Sequence, residues 1–188
     1  TVVRATPIAL AGLAGVLSER VAVINIGIEG MLLVGAFAGA VFGSLFGGLI
    51  GLVLAVFVGA LFGLLLAVLV ITYRVDQIIA GVAINILALG TTSFLTSHLL
   101  KTHPHLNDAP IFKPIKIPFV SDLPVIGPTF FQHNLFVYGA LILIIASTFY
   151  LFKTGIGLRL RAVGEHPKAA DTLGVNVLRL RYLNVTLA

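Results

Sequence analysis

Apolar runs long enough to cross a bilayer dominate this chain, and they leave few alternatives for its fold. Three such runs, at about 49–72, 77–97 and 134–152, contain no charged residue at all. A transmembrane helix needs roughly 20 consecutive, mostly apolar residues. Only 10% of all residues are charged, whereas a soluble domain carries about 25%. The sequence therefore predicts an all-α, polytopic transmembrane helical bundle that forms a single domain over residues 1–188.

Two further apolar segments precede these runs. The first, at about 5–17, has only about 13 residues before Ser18, Glu19 and Arg20 interrupt it, so it is either a half-helix or the remainder of a longer helix. The chain opens without an initiator Met and closes in another apolar stretch. We therefore expect a fragment that lacks later, C-terminal spans.

The second of these segments, which continues to about Gly47, carries glycines at four-residue intervals. Such ridges of small residues let two membrane helices approach closely, because apolar burial alone does not drive helices together in lipid. Gly47-Gly48 predicts the turn into the next span. The ridge consists of Gly35, Gly39, Gly43, Gly47 and Gly51.

Three polar residues interrupt the apolar runs: Asn25, Glu29 and Asn85. A carboxylate in lipid is costly, so Glu29 should face a protein interior or a water-filled path. Asn25 and Glu29 are four residues apart and share a face if the stretch is helical. These two residues either line a substrate path or form a structural polar clamp that satisfies backbone groups at a helix break. Asn85, alone in its apolar run, either makes a hydrogen bond between helices or contacts the substrate.

The interval 98–133 differs in kind from the rest of the chain. It holds six of the eight prolines and four of the five histidines, and so many prolines exclude one continuous helix. We predict an extracytoplasmic loop with short helices on the outer surface. His103 and His105 lack a nearby Cys or a spaced carboxylate pair, so no metal site is predicted there.

The interval 153–181 is basic, with half of the 12 Lys and Arg residues of the chain. A basic interval after a long apolar run indicates a cytoplasmic loop. Pro167 suits the first position of a short helix, and Gly174 can close that helix in a left-handed conformation. Its small apolar face, Ala169, Ala170 and Leu173, either docks into a groove on another protein or packs on its own bundle.

A cytoplasmic position of this loop fixes the remaining connections by alternation. The turn at Gly47 and the proline-rich interval are then outside, whereas Glu19-Arg20 and Arg74 are inside. Asp76, two residues after Arg74, is predicted to cap the next helix.

Motifs along most of the chain resemble one family of membrane proteins. The pattern AA-x3-G (Ala169, Ala170, Gly174), preceded by GLRLRAVGEHP, is similar to the coupling-helix signature of ABC importer permeases of the ribose and branched-chain amino acid type. Further motifs resemble the nucleoside-type subfamily: SER at 18–20 followed by NIGIEG at 25–30, then DQIIAG at 76–81 and NILALG at 85–90. Lys168 replaces the first residue of the general E-A-A triplet, and this departure fits the narrower group that transports nucleosides and simple sugars.

The resemblance implies a type II-like permease subunit of an ATP-driven importer in a bacterial-type inner membrane, with purine nucleosides as substrates or, alternatively, simple sugars. The implied partners are ATP-binding subunits that hydrolyse the ATP, a second identical or homologous permease subunit, and an extracytoplasmic substrate-binding protein near the proline-rich loop. The implied ATPase-coupling residues are Gly164, Glu165, His166, Pro167, Lys168, Ala169, Ala170 and Gly174.

Several other function classes are disfavoured by the sequence. It contains no G-x-x-x-x-G-K-[ST] phosphate-binding loop, no Cys, and no Ser-His-Asp or paired-carboxylate arrangement, so we predict neither an enzyme nor a cofactor held by this chain. No basic stripe with interleaved aromatic residues indicates nucleic-acid binding. An ATP-independent secondary transporter would not need the groove-binding helix, and a membrane scaffold would not need a polar path.

Overall fold

The computed structural model describes residues 2–107, 115–116 and 132–188 of the chain. Two π-helical turns, Val68–Thr72 and Thr96–Leu100, extend the third and fourth helices, and a 3-10 turn covers Pro104–Asn107. Two strands of two residues, β1 (Ile115–Lys116) and β2 (Gln132–His133), pair antiparallel. The helices are α1 (Val2–Glu19), α2 (Ile28–Phe46), α3 (Gly48–Ala67), α4 (Gln77–Leu95), α5 (Leu135–Lys153), α6 (Gly155–Glu165), α7 (Pro167–Thr172) and α8 (Val177–Leu187).

Five helices in this described part are long and apolar enough to span a membrane: α1, α2, α3 and α4 with their π-helical extensions, and α5. The predicted polytopic helical bundle is therefore confirmed. The first segment was predicted too short, because α1 has 18 residues and includes Ser18 and Glu19. Both polar side chains are compatible with helical geometry, so they end the apolar run without ending the helix.

The predicted glycine ridge lies between α2 and α3. A Cβ atom on Gly51 would lie 2.5 Å from the Cα of Gly43, and one on Gly39 would lie 3.4 Å from the Cβ of Ala55. Any larger residue at Gly51 would force the two helices apart. The turn between them is at Gly47, whose φ of +90° favours glycine.

Local capping follows the sequence closely. Asp76 Oδ1 accepts hydrogen bonds from the backbone N–H groups of Ile78 and Ile79, at 2.9 and 3.1 Å, so the predicted cap of α4 is confirmed. Asn134 accepts from the N–H of Val137 at the start of α5, at 3.4 Å. These side chains satisfy donors that a helix N-terminus leaves without intrahelical partners.

The best-buried cluster lies at one end of the bundle. There the C-terminal ends of α1, α3 and α5 meet the start of α4, together with α6 and α8. This is the end that the basic loop predicts to be cytoplasmic. Its fully or almost fully buried members are Val21, Val23, Leu66, Ala67, Ala80, Ile84, Leu151, Leu160 and Val185.

Only part of the proline-rich interval is described. The extension of α4 continues to Leu100, and the 3-10 turn that follows buries Leu106 against α2. The extracytoplasmic position of 98–133 remains a prediction, and its residues 108–114 and 117–131 lie outside the described part of the chain.

Candidate functional site

An irregular break connects α1 to α2, over residues 20–27. Its buried and exposed residues alternate, with Val21, Val23 and Asn25 buried and Ile24 and Ile26 exposed. A non-helical segment cannot satisfy its own N–H and C=O groups. Within a membrane bundle such backbone must find partners in the protein, because lipid offers none.

Two side-chain amides of α4 supply those partners. Asn85 Oδ1 accepts from the N–H of Gly30 at 2.8 Å, and Asn85 Nδ2 donates to the carbonyl of Ile26 at 3.1 Å. Gln77 Oε1 accepts from the N–H of Ile24 at 2.7 Å, and its Nε2 donates to the carbonyl of Ala22 at 3.3 Å. Both polar atoms of the Asn85 amide are thus occupied by backbone, and we call Gln77 and Asn85 the clamp of this break.

Gln77 was not singled out from the sequence as a member of this clamp. Its spacing from Asn85 could have indicated this role, because residues eight apart on a helix lie about two turns apart along roughly one side and can contact the same neighbouring segment. Glycines allow the close approach. A Cβ atom on Gly30 would lie 2.8 Å from Asn85 Oδ1, and one on Gly81 would lie 2.8 Å from the Cβ of Ile26.

Asn25 and Glu29 occupy different environments from Asn85. Asn25 is only 7% exposed; its Nδ2 lies 3.7 Å from the sulfur of Met31, and its buried Oδ1 has no partner among the described residues. Glu29 lies in the first turn of α2 with its carboxylate on the surface of the chain. Of the three predicted path residues, Asn85 is thus bonded to backbone, Asn25 is buried and Glu29 is exposed.

The second candidate site is the basic loop, which folds into α6 and α7. Pro167 is the first residue of α7. Gly174, at φ +80°, ends it: the Val175 N–H bonds to the carbonyl of Ala170 at 3.1 Å and the Gly174 N–H to that of Asp171 at 2.9 Å. This pair of bonds is the Schellman arrangement, so the predicted helix and its left-handed glycine cap are confirmed.

The predicted apolar face of α7 is divided between the interior and the surface. Ala170 is 3% exposed, whereas Ala169 is exposed and Leu173 is 83% exposed. Ala170 therefore fixes the helix to its own chain, and Ala169 and Leu173 remain free for another surface. The other polar residues predicted for coupling, Glu165, His166 and Lys168, are exposed on the same loop.

Gly164 connects the loop to the break. A Cβ atom at Gly164 would lie 2.5 Å from the backbone oxygen of Arg20 and 3.1 Å from its carbonyl carbon. The end of α6 thus lies directly against the backbone where α1 ends. The guanidinium groups of Arg20 and Arg161 also lie 5.8 and 5.3 Å from the ring centroid of Phe152, within reach of cation–π attraction.

Comparison with known proteins identifies the family of this chain. The whole chain, residues 1–188, matches the family described as branched-chain amino acid transport system / permease component. Over 200 residues it is 45% identical to the Guanosine ABC transporter permease protein NupQ of Bacillus subtilis, covering 100% of this chain and 61% of that protein.

Two further relatives extend the comparison. The chain is 36% identical to the Nucleoside ABC transporter permease protein NupC of Lactococcus lactis, which covers 97% of this chain and 60% of the relative. It is also 36% identical to the "Putative glucose ABC transporter permease protein TsgC13" of Haloferax volcanii, covering 100% of this chain and 57% of the relative. The chain thus spans about three fifths of these proteins, and no solved structure matches it significantly.

The match over all 188 residues agrees with five apolar helices in the described part and with a basic helical loop that follows the fifth. These features are those of a multi-pass membrane protein. The chain belongs to the family of branched-chain amino acid transport system permease components.

Proposed function

We propose that this chain forms part of the membrane path of an ATP-driven importer for purine nucleosides, and that α7 is its contact with the ATP-hydrolysing subunits. The observation that carries the proposal is the position of Leu173. This large apolar side chain is 83% exposed at the end of a six-residue helix. A helix of under two turns is not stable alone in water, so it is held from one side by the chain and is suited to a groove on its other side.

The predicted coupling residues divide into two groups under this proposal. Ala170 and Gly164 attach the loop to the bundle, and Pro167 and Gly174 set the two ends of the helix. The remaining members face outward and would contact the partner: Glu165, His166, Lys168 and Ala169, with Leu173 beside them.

A continuous chain of contacts leads from α7 into the bundle. The end of α6, at Gly164, rests on the backbone of Arg20, and the break that follows Arg20 is bonded to α4 through Gln77 and Asn85. Rigid contacts of this kind transmit a displacement more directly than flexible loops do. Movement of the partner groove would thus shift α4 between two arrangements, in keeping with alternating access biased by a bound partner.

The substrate proposal rests on the relatives. Two of them are named as permeases for guanosine or nucleosides, at 45% and 36% identity. A relative with glucose in its printed name, also at 36% identity, supports simple sugars as a second candidate. Glu29 is the one polar residue of the predicted trio whose side chain is both exposed and without a bond inside the described chain, so we assign it to the path.

The assembly proposed here has further components. Two ATP-binding subunits would hydrolyse ATP, a second permease subunit would complete the path, and an external binding protein would deliver the substrate near the 98–133 loop. The chain itself would hold no cofactor. The bacterial-type inner membrane is the proposed location.

Uptake of labelled guanosine tests the substrate. The intact permease, expressed with its partner subunits, should take up guanosine. Unlabelled nucleosides should compete, whereas ribose, galactose and glucose should not. Competition by a sugar alone would replace the nucleoside with the second candidate. Uptake by a transporter whose ATP-binding subunits cannot hydrolyse ATP would contradict the ATP-driven mechanism.

Two adjacent residues of α7 test the coupling role. Ala169→Glu should abolish the stimulation of ATP hydrolysis by substrate and its binding protein while the permease stays folded, because the residue is exposed. Ala170→Glu should lose folding and coupling together, because it places a charge in a buried position, at a cost of several kcal/mol. Normal coupled transport by the folded Ala169→Glu protein would exclude α7 as the contact.

A further inference from the structure

A cleft of about 720 Å³ lies between α2 and α4 with its extension, beginning about one helical turn beyond the clamp, and no residue of the basic loop lines it. Its α2 wall includes Leu33 and Phe37, and its α4 wall includes Ser93, Thr96 and Ser97. Lys101 lies at its end. The volume is in the range of small-molecule sites, which are mostly apolar with a few polar groups that fix orientation.

The hydroxyl groups of α4 fall into two classes. In apolar spans, Ser and Thr usually bond back to a carbonyl three or four residues earlier. Thr91 does so with Leu87 at 2.7 Å, Thr92 with Ala88 at 2.7 Å, and Ser97 with Phe94 at 2.9 Å. Ser93 and Thr96 are exposed and have no such bond in the described part of the chain.

These two uncommitted hydroxyls lie on one face of the helix, because residues three apart are neighbours on its surface. Each hydroxyl offers one donor and two acceptor lone pairs, and leaving them against hydrocarbon is unfavourable. The π-helical turn begins at Thr96, and π-type turns inside helices occur frequently at functional sites. The face is therefore suited to a polar occupant.

Charge and position narrow the class of occupant. Lys101 is the one charged residue among those lining the cleft in the described chain, which disfavours a cationic solute. Glu29 lies four and eight residues before Leu33 and Phe37, so it shares their side of α2. The cleft and the Glu29 carboxylate thus lie along one side of the α2–α4 pair, which runs parallel from the clamp outward.

We propose that this cleft is a binding station on the path, where Ser93 and Thr96 bond to the ribose hydroxyls of a nucleoside and the ring of Phe37 packs on its base. This rests on the proposed function and adds the residues that recognise the sugar moiety. The ligand is a neutral, flat ring compound with vicinal hydroxyl groups.

Thiol labelling tests whether the cleft is open to water. The 188 residues contain no cysteine, so Ser93→Cys and Thr96→Cys each introduce the one thiol of this segment. In the intact, assembled transporter both should react with a water-soluble methanethiosulfonate, and guanosine should slow the reaction. Ser147→Cys is the control, because Ser147 is half-buried on the apolar helix α5 and does not line the cleft, and its thiol should stay unreactive. Unreactive thiols at 93 and 96 would mean that lipid or another protein segment fills the cleft, and would overturn the proposal.

Substrate analogues test the hydroxyl contacts. Maximal uptake rates are compared for guanosine and 2′,3′-dideoxyguanosine, with the same binding protein throughout. The Ser93→Ala/Thr96→Val double variant should lower the guanosine rate by about 2- to 10-fold, as expected for lost hydrogen bonds, and leave the dideoxy rate unchanged. Thr91→Val, which removes a committed hydroxyl, should change neither rate.

The outcomes separate the two proposals. If the unmodified transporter takes up no nucleoside, the proposed function itself fails. If it takes up guanosine and the double variant loses both rates equally or neither, the function stands and the ribose contact at Ser93 and Thr96 is wrong.

Discussion

The break between α1 and α2 and the α6–α7 loop use similar residues in opposite ways. Both contain glycines, short polar side chains and interrupted helices. At the break, the amides of Gln77 and Asn85 on α4 bond to its backbone. In the loop, Glu165, His166 and Lys168 face outward beside an 83% exposed Leu173. Polar residues in the first region complete the fold, whereas those in the second are available to a partner.

This difference separates the effects of substitutions in the two regions. Changes in the break should lower the free energy of unfolding first and transport as a consequence. Changes on the outer side of the loop should lower transport alone. Gly164 belongs to both regions, because it lies in the loop and packs on the break.

The largest effect is expected for Asn85→Leu. The substitution removes the partner of the N–H of buried Gly30, which costs about 1–3 kcal/mol, and also the partner of the Ile26 carbonyl. The apparent melting temperature in detergent, read by size-exclusion chromatography after heating, should fall strongly. Ile86→Leu on the exposed neighbouring position is the control and should keep the original value. A stable Asn85→Leu protein would show that the clamp is dispensable.

A smaller loss is expected for Gly164→Val. Its Cβ would meet the backbone oxygen of Arg20 at 2.5 Å, and overpacking of this kind costs about 1–3 kcal/mol. Because the contact joins loop and break, coupling of ATP hydrolysis to uptake should decline even at temperatures where the protein stays folded. Gly139→Val, where the space around the glycine is open, should leave stability and coupling intact. Equal behaviour of the two variants would exclude the Gly164–Arg20 contact as a link.

The smallest effect is expected for Gly174→Ala. A non-glycine residue at φ +80° costs about 1–2 kcal/mol, and the cost falls on the end of α7 and not on the bundle. The melting temperature should hardly change. The affinity of the ATP-binding subunits for the permease should decline, as measured by how much of them co-purifies with the permease at increasing salt concentration. Gly155→Ala, a glycine of negative φ with open surroundings, is the control. A large drop in melting temperature would mean that α7 is part of the core.

Much of the fold follows from local sequence. The spans were predictable because each needs an apolar length set by the bilayer and satisfies its own backbone. The caps at Asp76 and Gly174 were predictable because their partners lie within a few residues. The full extent of α1 was missed, since Arg4 near its start and Ser18-Glu19 at its end interrupt the hydropathy signal without interrupting the helix.

The roles of individual polar residues were decided by tertiary structure. Asn85 and Gln77 find partners 53–59 residues away, a separation at which no spacing rule applies. The same holds for Ala169 and Ala170, which the sequence assigns to one face and the fold divides between surface and interior. The sequence by itself determined the apolar spans of α3, α4 and α5 and the caps at Asp76 and Gly174. Only the packing of distant segments decided which polar groups are used by the fold and which remain free to bind.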